Sequence, residues 1–419
     1  MATFVRHGWR RRIPMALPPD TSYHSQATTR RIHTRATAKW GFLIGSAFCI
    51  ACLFILPGSA RAQLPSPTYG WNLGNTLEPP EGEGTWGPAA SRRLINAVAD
   101  AGFNTVRLPV AWNSHANQTT YKIDPAWMAR VKEVVDWCYA RNLHVIVNSH
   151  WDKAWLDEHL DRVDPTVNAK MRAYWTQIAS TFKNYDDRLL FAGANEPPAD
   201  TAVKTANLVV YYQTFIDAVR ATGGNNARRW LVIQGPATDI DQTDTLMNTL
   251  PLDPTPDRLA VEVHFYPFAF CLMKEDADWG RMAYFWGRAY HHPTRTNRNA
   301  TGQEEAYIEA QFQKMADKFV RRGIPVILGE FQAFKRVGYK DLTGADFKLH
   351  EASRTYFHHV VVETANRKGL KPIYWDQADQ MFIWKTGRLI DPDNQRALTG
   401  GAALPPRGGA STAPKTVQR

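Results

Sequence analysis

Short apolar, β-branched runs alternate with stretches of helical periodicity from residue 69 to residue 375, and this alternation constrains the fold more than any other property of the chain. The runs lie near 69–73 (YGWNL), 105–110 (TVRLPV), 144–149 (HVIVNS), 189–195 (LLFAGAN), 230–235 (WLVIQG), 259–265 (LAVEVHF), 325–330 (PVILGE) and 371–375 (KPIYW). Helical spacing fits 89–101, 125–141, 167–184, 203–221, 304–322 and 349–368. Asp124-Pro125 reads as a helix start, while Gly223-Gly224, Gly323 and Gly369 read as stops. Repeated strand–helix units of this kind predict an α/β fold, a (β/α)8 TIM barrel with active groups at the C-terminal ends of its strands. An open, doubly wound sheet is the competing reading. Its glycine-rich turn is nearly matched by Gly82-Glu83-Gly84-Thr85-Trp86-Gly87, but that string lies nine residues beyond the first run and across Pro79-Pro80. A dinucleotide loop follows its strand directly, so the match is rejected.

The longest connection, roughly 266–303, is too long for a plain βα turn and rich in aromatic residues. It is expected over the active face, where it would wall a cleft. The eighth helix is weakly marked, with "DNQRALTGGAA" as its only candidate. Residues 401–419, rich in Gly, Pro and Ala, read as a disordered tail.

Residues 1–62 read as an export leader. They carry basic residues such as Arg10, Arg11, Arg12, Arg30 and Arg31, then the apolar run Trp40–Leu56, then Pro57-Gly58. Ala60-Arg61-Ala62 places small residues at the −3 and −1 positions of a cleavage site before Gln63. The expectation is a secreted or periplasmic domain released after Ala62; a later start at Met15 or an uncleaved membrane anchor are the alternatives. The leader holds nine Lys/Arg and one Asp, leaving 41 basic against 39 acidic residues in 63–419. The basic balance of the whole chain therefore belongs to the leader and implies no nucleic-acid partner. A near-neutral domain suits an uncharged ligand, and a monomer without a stable membrane partner is expected once the leader is removed. Outside the leader only Cys138 and Cys271 remain, as one disulfide or as two buried thiols.

Two of the predicted strand ends carry a glutamate: Glu196 in "FAGANEPP" and Glu330 in "VILGEF". A pair of carboxyls at the mouth of a barrel is what acid-assisted cleavage of a glycosidic bond requires, one as proton donor and one as nucleophile. Seven strings on successive strands extend the pattern: "GWNLGNTLE", "FNTVRLPVAW", "VIVNSHWD", "GANEP", "VHFYPF", "ILGEF" and "IYWD". In this order they resemble glycoside hydrolase family 5, the cellulase family, over nearly all of 63–400. The resemblance implies a single (β/α)8 catalytic domain there, a retaining mechanism, an acid/base at Glu196 and a nucleophile at Glu330. It implies no cofactor and no metal.

To donate a proton near neutral pH, Glu196 would need a raised pKa. Arg107, in the middle of the second strand, would be very costly without a partner; beside Glu330 it would hold that carboxylate ionised. Asn195 resembles the family asparagine that bonds the sugar 2-hydroxyl. His150, His264 and Tyr266 match further site positions, His150 at sugar hydroxyls and Tyr266 at Glu330. Trp375 resembles the platform beneath the reacting sugar. Trp112, Trp151 and Trp86 follow strands and are subsite candidates, and His115 is a weaker one. Trp127, Trp137 and Trp175 are assigned to the core. Glu262 and Glu78 are further acids, Glu262 placed to pair with His264. His291-His292 and His358-His359 are read as structural or solvated, since neighbouring helix positions diverge by ~100°.

The resulting expectation is a secreted retaining endo-β-1,4-glycanase on a β-linked polysaccharide, with β-1,4-glucan as substrate. Mannan, xyloglucan, xylan and mixed-linkage glucan are alternatives. The loops "GANEPP" and "YWDQADQMFIW" depart from the family pattern and bear on outer subsites. A non-catalytic glycan-binding barrel and a transglycosylase are the readings of other kinds.

Overall fold

The computed structural model describes residues 64–277 and 280–401. The leader expected over 1–62, including Trp40–Leu56, lies outside these residues, as does the tail beyond Gly401. No described helix is long and apolar enough to cross a membrane.

Eight parallel strands close into a barrel: β1 (Gly70–Leu73), β2 (Thr105–Leu108), β3 (His144–Asn148), β4 (Leu189–Ala192), β5 (Leu231–Gln234), β6 (Leu259–His264), β7 (Val326–Glu330) and β8 (Leu370–Asp376), with β8 pairing back onto β1. The surrounding helices are α1 (Arg92–Asp100), α2 (Pro125–Ala140), α3 (Pro165–Phe182), α4 (Ala202–Ala221), α5 (Ile240–Leu246), α6 (Phe268–Cys271), α7 (Glu305–Lys318), α8 (Gly344–Lys368) and α9 (Pro392–Leu398). Several starts follow from capping chemistry, in which a side-chain oxygen accepts from a free backbone N–H of the first turn. Ser91, Asp124, Asp164, Thr201 and Asp391 do this for α1, α2, α3, α4 and α9. In α2, α3 and α9 proline follows the cap, where its missing N–H costs nothing.

The two-residue period of the strands divides their side chains between two cores. Val145 and Val147 of β3 face the helices with Leu189 and Phe191 of β4. Their neighbours Ile146, Leu190, Val232, Ala260, Ile327 and Ile373 fill the barrel interior. One step nearer the C-terminal mouth the interior turns polar, with Asn72, Arg107, Asn148, Gln234 and Glu262 all buried. A charged layer above an apolar plug is tolerable only if each group finds a partner.

Two features are not marked in the sequence. The short helix α5 carries polar residues at most positions, and the hairpin of β9 (Phe382–Ile383) and β10 (Arg388–Leu389) is too short for a periodicity. The weak α9 candidate does form. The long connection after β6 turns much of its aromatic surface inward. Tyr284 and Phe285 form a separate cluster with Met273, Met282 and Leu342, and Trp286 packs on Phe357 of α8 at 5.0 Å. Cys138 and Cys271 are both buried free thiols, and burial pushes both well above the ordinary thiol range.

Candidate active site

Arg107 organises the mouth of the barrel. Its NH1 donates to Glu330 Oε1 at 2.9 Å and to Asn72 Oδ1 at 3.0 Å; its NH2 donates to Asn195 Oδ1 at 2.8 Å. Its Nε lies 2.9 Å from Glu262 Oε1. The guanidinium thus ties β2 to β1, β4, β6 and β7. Burial alone would lower its pKa, but Glu262 and Glu330 outweigh that and raise it. Tyr266 donates its hydroxyl to Glu330 Oε2 at 3.1 Å. Burial raises the Glu330 carboxyl above its ordinary value, and the charges of His264 and Arg107 offset only part of that rise. With Arg107 and Tyr266 both donating to it, the site is built to hold the ionised form.

Glu196 follows β4 and is half-buried. The approach to it is held on both sides: Ala194 donates its backbone N–H to Gln234 Oε1 at 2.8 Å, and Asn195 is fixed by Arg107. His264, at the end of β6, bridges the acids. Its Nδ1 is 2.7 Å from Glu196 Oε1 and 3.7 Å from Glu330 Oε2, while its Nε2 is 3.2 Å from Glu262 Oε1. Burial disfavours an imidazolium, but Glu330, Glu196 and Glu262 together raise His264 to about 9. Glu262 is fully buried and also accepts from Gln234 Nε2 at 2.7 Å. Burial raises its pKa and Arg107 and His264 overcome that, leaving it lowered. It is an internal counter-ion, the ion-pair role expected for it.

Oxygens of Glu196 and Glu330 and a ring nitrogen of His264 all lie within 4.8 Å of one another. Such spacing could hold a cation, but a histidine kept protonated presents N–H groups rather than lone pairs. The arrangement suits proton transfer and hydroxyl contacts.

Trp375, at the end of β8, is nearly buried, and its ring lies parallel to His150 at 5.8 Å. The close approach of Gly74 sets its position, since a Cβ there would stand 2.8 Å from the indole. His150 is in turn held by Asn148, Nδ2 to Nδ1 at 3.1 Å. Burial, together with the positive charges of Arg107 and His264, pushes it well below the usual histidine range, so it is neutral. Trp151 and Trp86 are exposed at 39% and 40%.

One expectation is corrected. Trp112 is not a subsite residue: it is wholly buried and donates its indole N–H to the Asn148 carbonyl at 3.0 Å. A parallel bridge between Leu77 and Val110 continues the backbone pairing past the strand end, two residues before the ring. His115, the weaker candidate, stacks on Trp127 of α2 at 3.8 Å. The histidine pairs are structural: His291 and His292 bond Glu304 and Asp346, while His358 accepts from the Ala333 N–H. Trp127 and Trp175 are buried and Trp137 is partly so, as expected of core residues.

Sequence reasoning missed Asn72, Asn148 and Gln234. Each is a polar residue at an inward strand position, in "GWNLG", "VIVNS" and "LVIQG". An amide at an inward position within an apolar run was the available signal.

A family model described as Cellulase (glycosyl hydrolase family 5) matches residues 71–380. The xyloglucan-specific endo-beta-1,4-glucanase BoGH5A of Bacteroides ovatus is 35% identical over 353 residues, which span 79% of this chain and 68% of that protein. Endoglucanase A of Paenibacillus barcinonensis is 33% identical over 336 residues, 73% of this chain and 80% of that one. Among solved structures, XEG5B, a xyloglucan-specific beta-1,4-glucanase from a ruminal metagenomic library, is 35% identical. It superposes with a TM-score of 0.71 over 81% of this chain and 96% of its own. Family model, relatives and barrel agree: the chain belongs to glycosyl hydrolase family 5 and is a glycoside hydrolase.

Proposed function

We propose that this enzyme is a retaining endo-β-1,4-glucanase in which Glu330 is the nucleophile and Glu196 the acid/base. The observation that carries the reading is the convergence of their carboxyl oxygens within 4.8 Å, with Glu330 alone bonded to Arg107 and Tyr266. Carboxyls about 5 Å apart leave no room for water to attack from the opposite face, so the second carboxylate must do so. Glu330 attacks the anomeric carbon while Glu196 protonates the departing oxygen. Water, deprotonated by Glu196, then cleaves the glycosyl ester and restores Glu330. Arg107 and Tyr266 keep the nucleophile charged and aimed, and Tyr266 stays a donor because burial raises its pKa well above ordinary. The His264 imidazolium links acid, nucleophile and the buried Glu262. Asn195, fixed by Arg107, is placed for the sugar 2-hydroxyl, and His150 for the hydroxyls above the Trp375 platform.

A β-1,4-glucan backbone is the substrate supported by the endoglucanase relatives. Branched xyloglucan is the second reading, favoured by the xyloglucan-specific relatives at 35% identity. Release of reducing ends from carboxymethyl cellulose, xyloglucan, barley glucan, xylan and mannan tests both. Activity confined to xylan or mannan would sink the glucanase reading. We further infer, from the leader composition, that the domain works outside the cytoplasm after cleavage at Ala62; N-terminal sequencing of the exported protein tests this.

A further inference from the structure

The peptide that carries Glu196 is gripped on both flanks by β5 and the turn after it, from which the mechanism above draws nothing. Gly193 of the β4 extension donates its N–H to the Val232 carbonyl at 2.9 Å, continuing the β4–β5 pairing. The next N–H, of Ala194, is taken by a side chain instead, Gln234 Oε1 at 2.8 Å. Beyond Glu196, the Pro197 carbonyl accepts from the N–H of Ala199 at 2.7 Å and from that of Ala237, in the turn following β5, also at 2.7 Å. That turn is strained. Ala237 and Thr238, at φ 50° and 49°, are consecutive left-handed residues bearing a Cβ, and Thr238 is β-branched and buried. Strain of this kind persists where the surroundings impose it, commonly at functional sites. Here Gly235 is pressed so closely on Thr243 of α5 that a Cβ would overlap the hydroxyl, and the turn delivers the Ala237 N–H to Pro197.

Gln234 itself is wholly buried and fixed at backbone and side chain. Tyr212 of α4 donates its hydroxyl to the Gln234 carbonyl at 3.0 Å and accepts the Gln234 N–H at 3.2 Å. The side-chain Nε2 donates to Glu262 Oε2 at 2.7 Å. An amide suits this place because it must accept from a peptide N–H at one end and donate to a carboxylate at the other. A general acid works only within hydrogen-bond reach of the atom it protonates, and a displacement of ~1 Å can cost on the order of a hundredfold in rate. We propose that Gln234 is a positioning residue for the acid/base: together with the turn behind it, it fixes the peptide of Glu196 so that the carboxyl meets the departing oxygen.

The proposal rests on the acid and nucleophile assigned above, and a control keeps the two apart. Full-length wild type, Gln234→Met, Tyr212→Phe and Glu196→Ala are compared by kcat/KM on two substrates. One is the tetrasaccharide of whichever panel glycan the wild type cleaves best, whose departing oxygen must be protonated. The other is the 2,4-dinitrophenyl glycoside of the matching disaccharide, which releases a phenolate that needs no proton. Gln234→Met should lower kcat/KM about tenfold or more on the tetrasaccharide and by less than about twofold on the aryl glycoside. Tyr212→Phe, which frees the backbone of Gln234 and leaves its amide in place, should show the same bias to a smaller degree. It decides the question if Gln234→Met does not fold. A merely structural role, or a displaced nucleophile, would depress both substrates together. Equal losses in the deciding variant, or no loss on the tetrasaccharide, overturn the proposal. Glu196→Ala should show the strongest bias. If it shows none, the acid assignment falls and the proposal with it, whereas a bias confined to Glu196→Ala overturns the proposal alone.

Discussion

Arg107 shows why single residues in this site cannot be valued separately. One guanidinium meets Glu330, Glu262, Asn195 and Asn72, so its removal would strand two buried carboxylates at once. Glu330 is the cleaner residue to change, because a small neutral side chain there leaves the cation with Glu262. Glu330→Ala should lower kcat by roughly a thousandfold or more while the fold is kept. Azide should then restore turnover of an activated aryl glycoside and give product of inverted configuration, read by NMR of the anomeric proton. Near-normal activity without azide would remove Glu330 from the nucleophile role. At this scale the sequence was legible where a residue type was out of place. A charge inside a strand announced that Arg107 needs partners, and a glutamate at each of two strand ends announced the carboxyl pair. The sequence misled at Trp112, because a position following a strand does not reveal whether a ring turns outward or into the core.

The strands place these groups by alternation and by close approach. Gly329 of β7 faces inward directly beneath Glu330, and a Cβ on it would overlap the Glu262 carboxylate. Gly329→Ala should therefore cost about 1–3 kcal/mol of stability by overpacking, seen as a lower urea midpoint. Because Glu262 would be displaced from Arg107 and His264, kcat should fall as well; an unchanged midpoint and rate would refute the tight contact. The pairing of β6 with β7 also shifts register between Val263 and His264, which sets His264 opposite Glu330. Strands and long helices were legible because burial imposes their periods. The bulge, α5 and the β9–β10 hairpin were not, since each is settled by neighbours rather than by its own pattern.

Across the whole molecule the buried ionisable groups make stability depend on pH. His264 is raised to about 9, so its contribution is complete below pH 6.5 and is lost as pH rises toward 9. Glu78 and Asp376 are raised to about 7 by burial and lose their contributions as pH rises through that value. His350 and His358, lowered by burial to about 4 and about 3, act in the opposite sense and lose theirs as pH falls below 6.5. Acids and histidines oppose one another below 6.5, whereas above it His264 dominates. Melting temperature should decline between pH 6.5 and 9, and His264→Gln should flatten that decline in calorimetry. A wild-type Tm that is level over this interval would contradict a buried imidazolium.

The sequence by itself determined the barrel, the glutamate pair and the family, because strand period, helix period and strand-end motifs are local and survive in a linear reading. Only the tertiary structure decided which polar groups meet. Arg107 and Glu330 lie on strands far apart in the chain and touch because the barrel closes on itself. The same closure buries Trp112 and leaves Trp151 exposed. Such contacts depend on register and loop path, which no stretch of sequence contains alone.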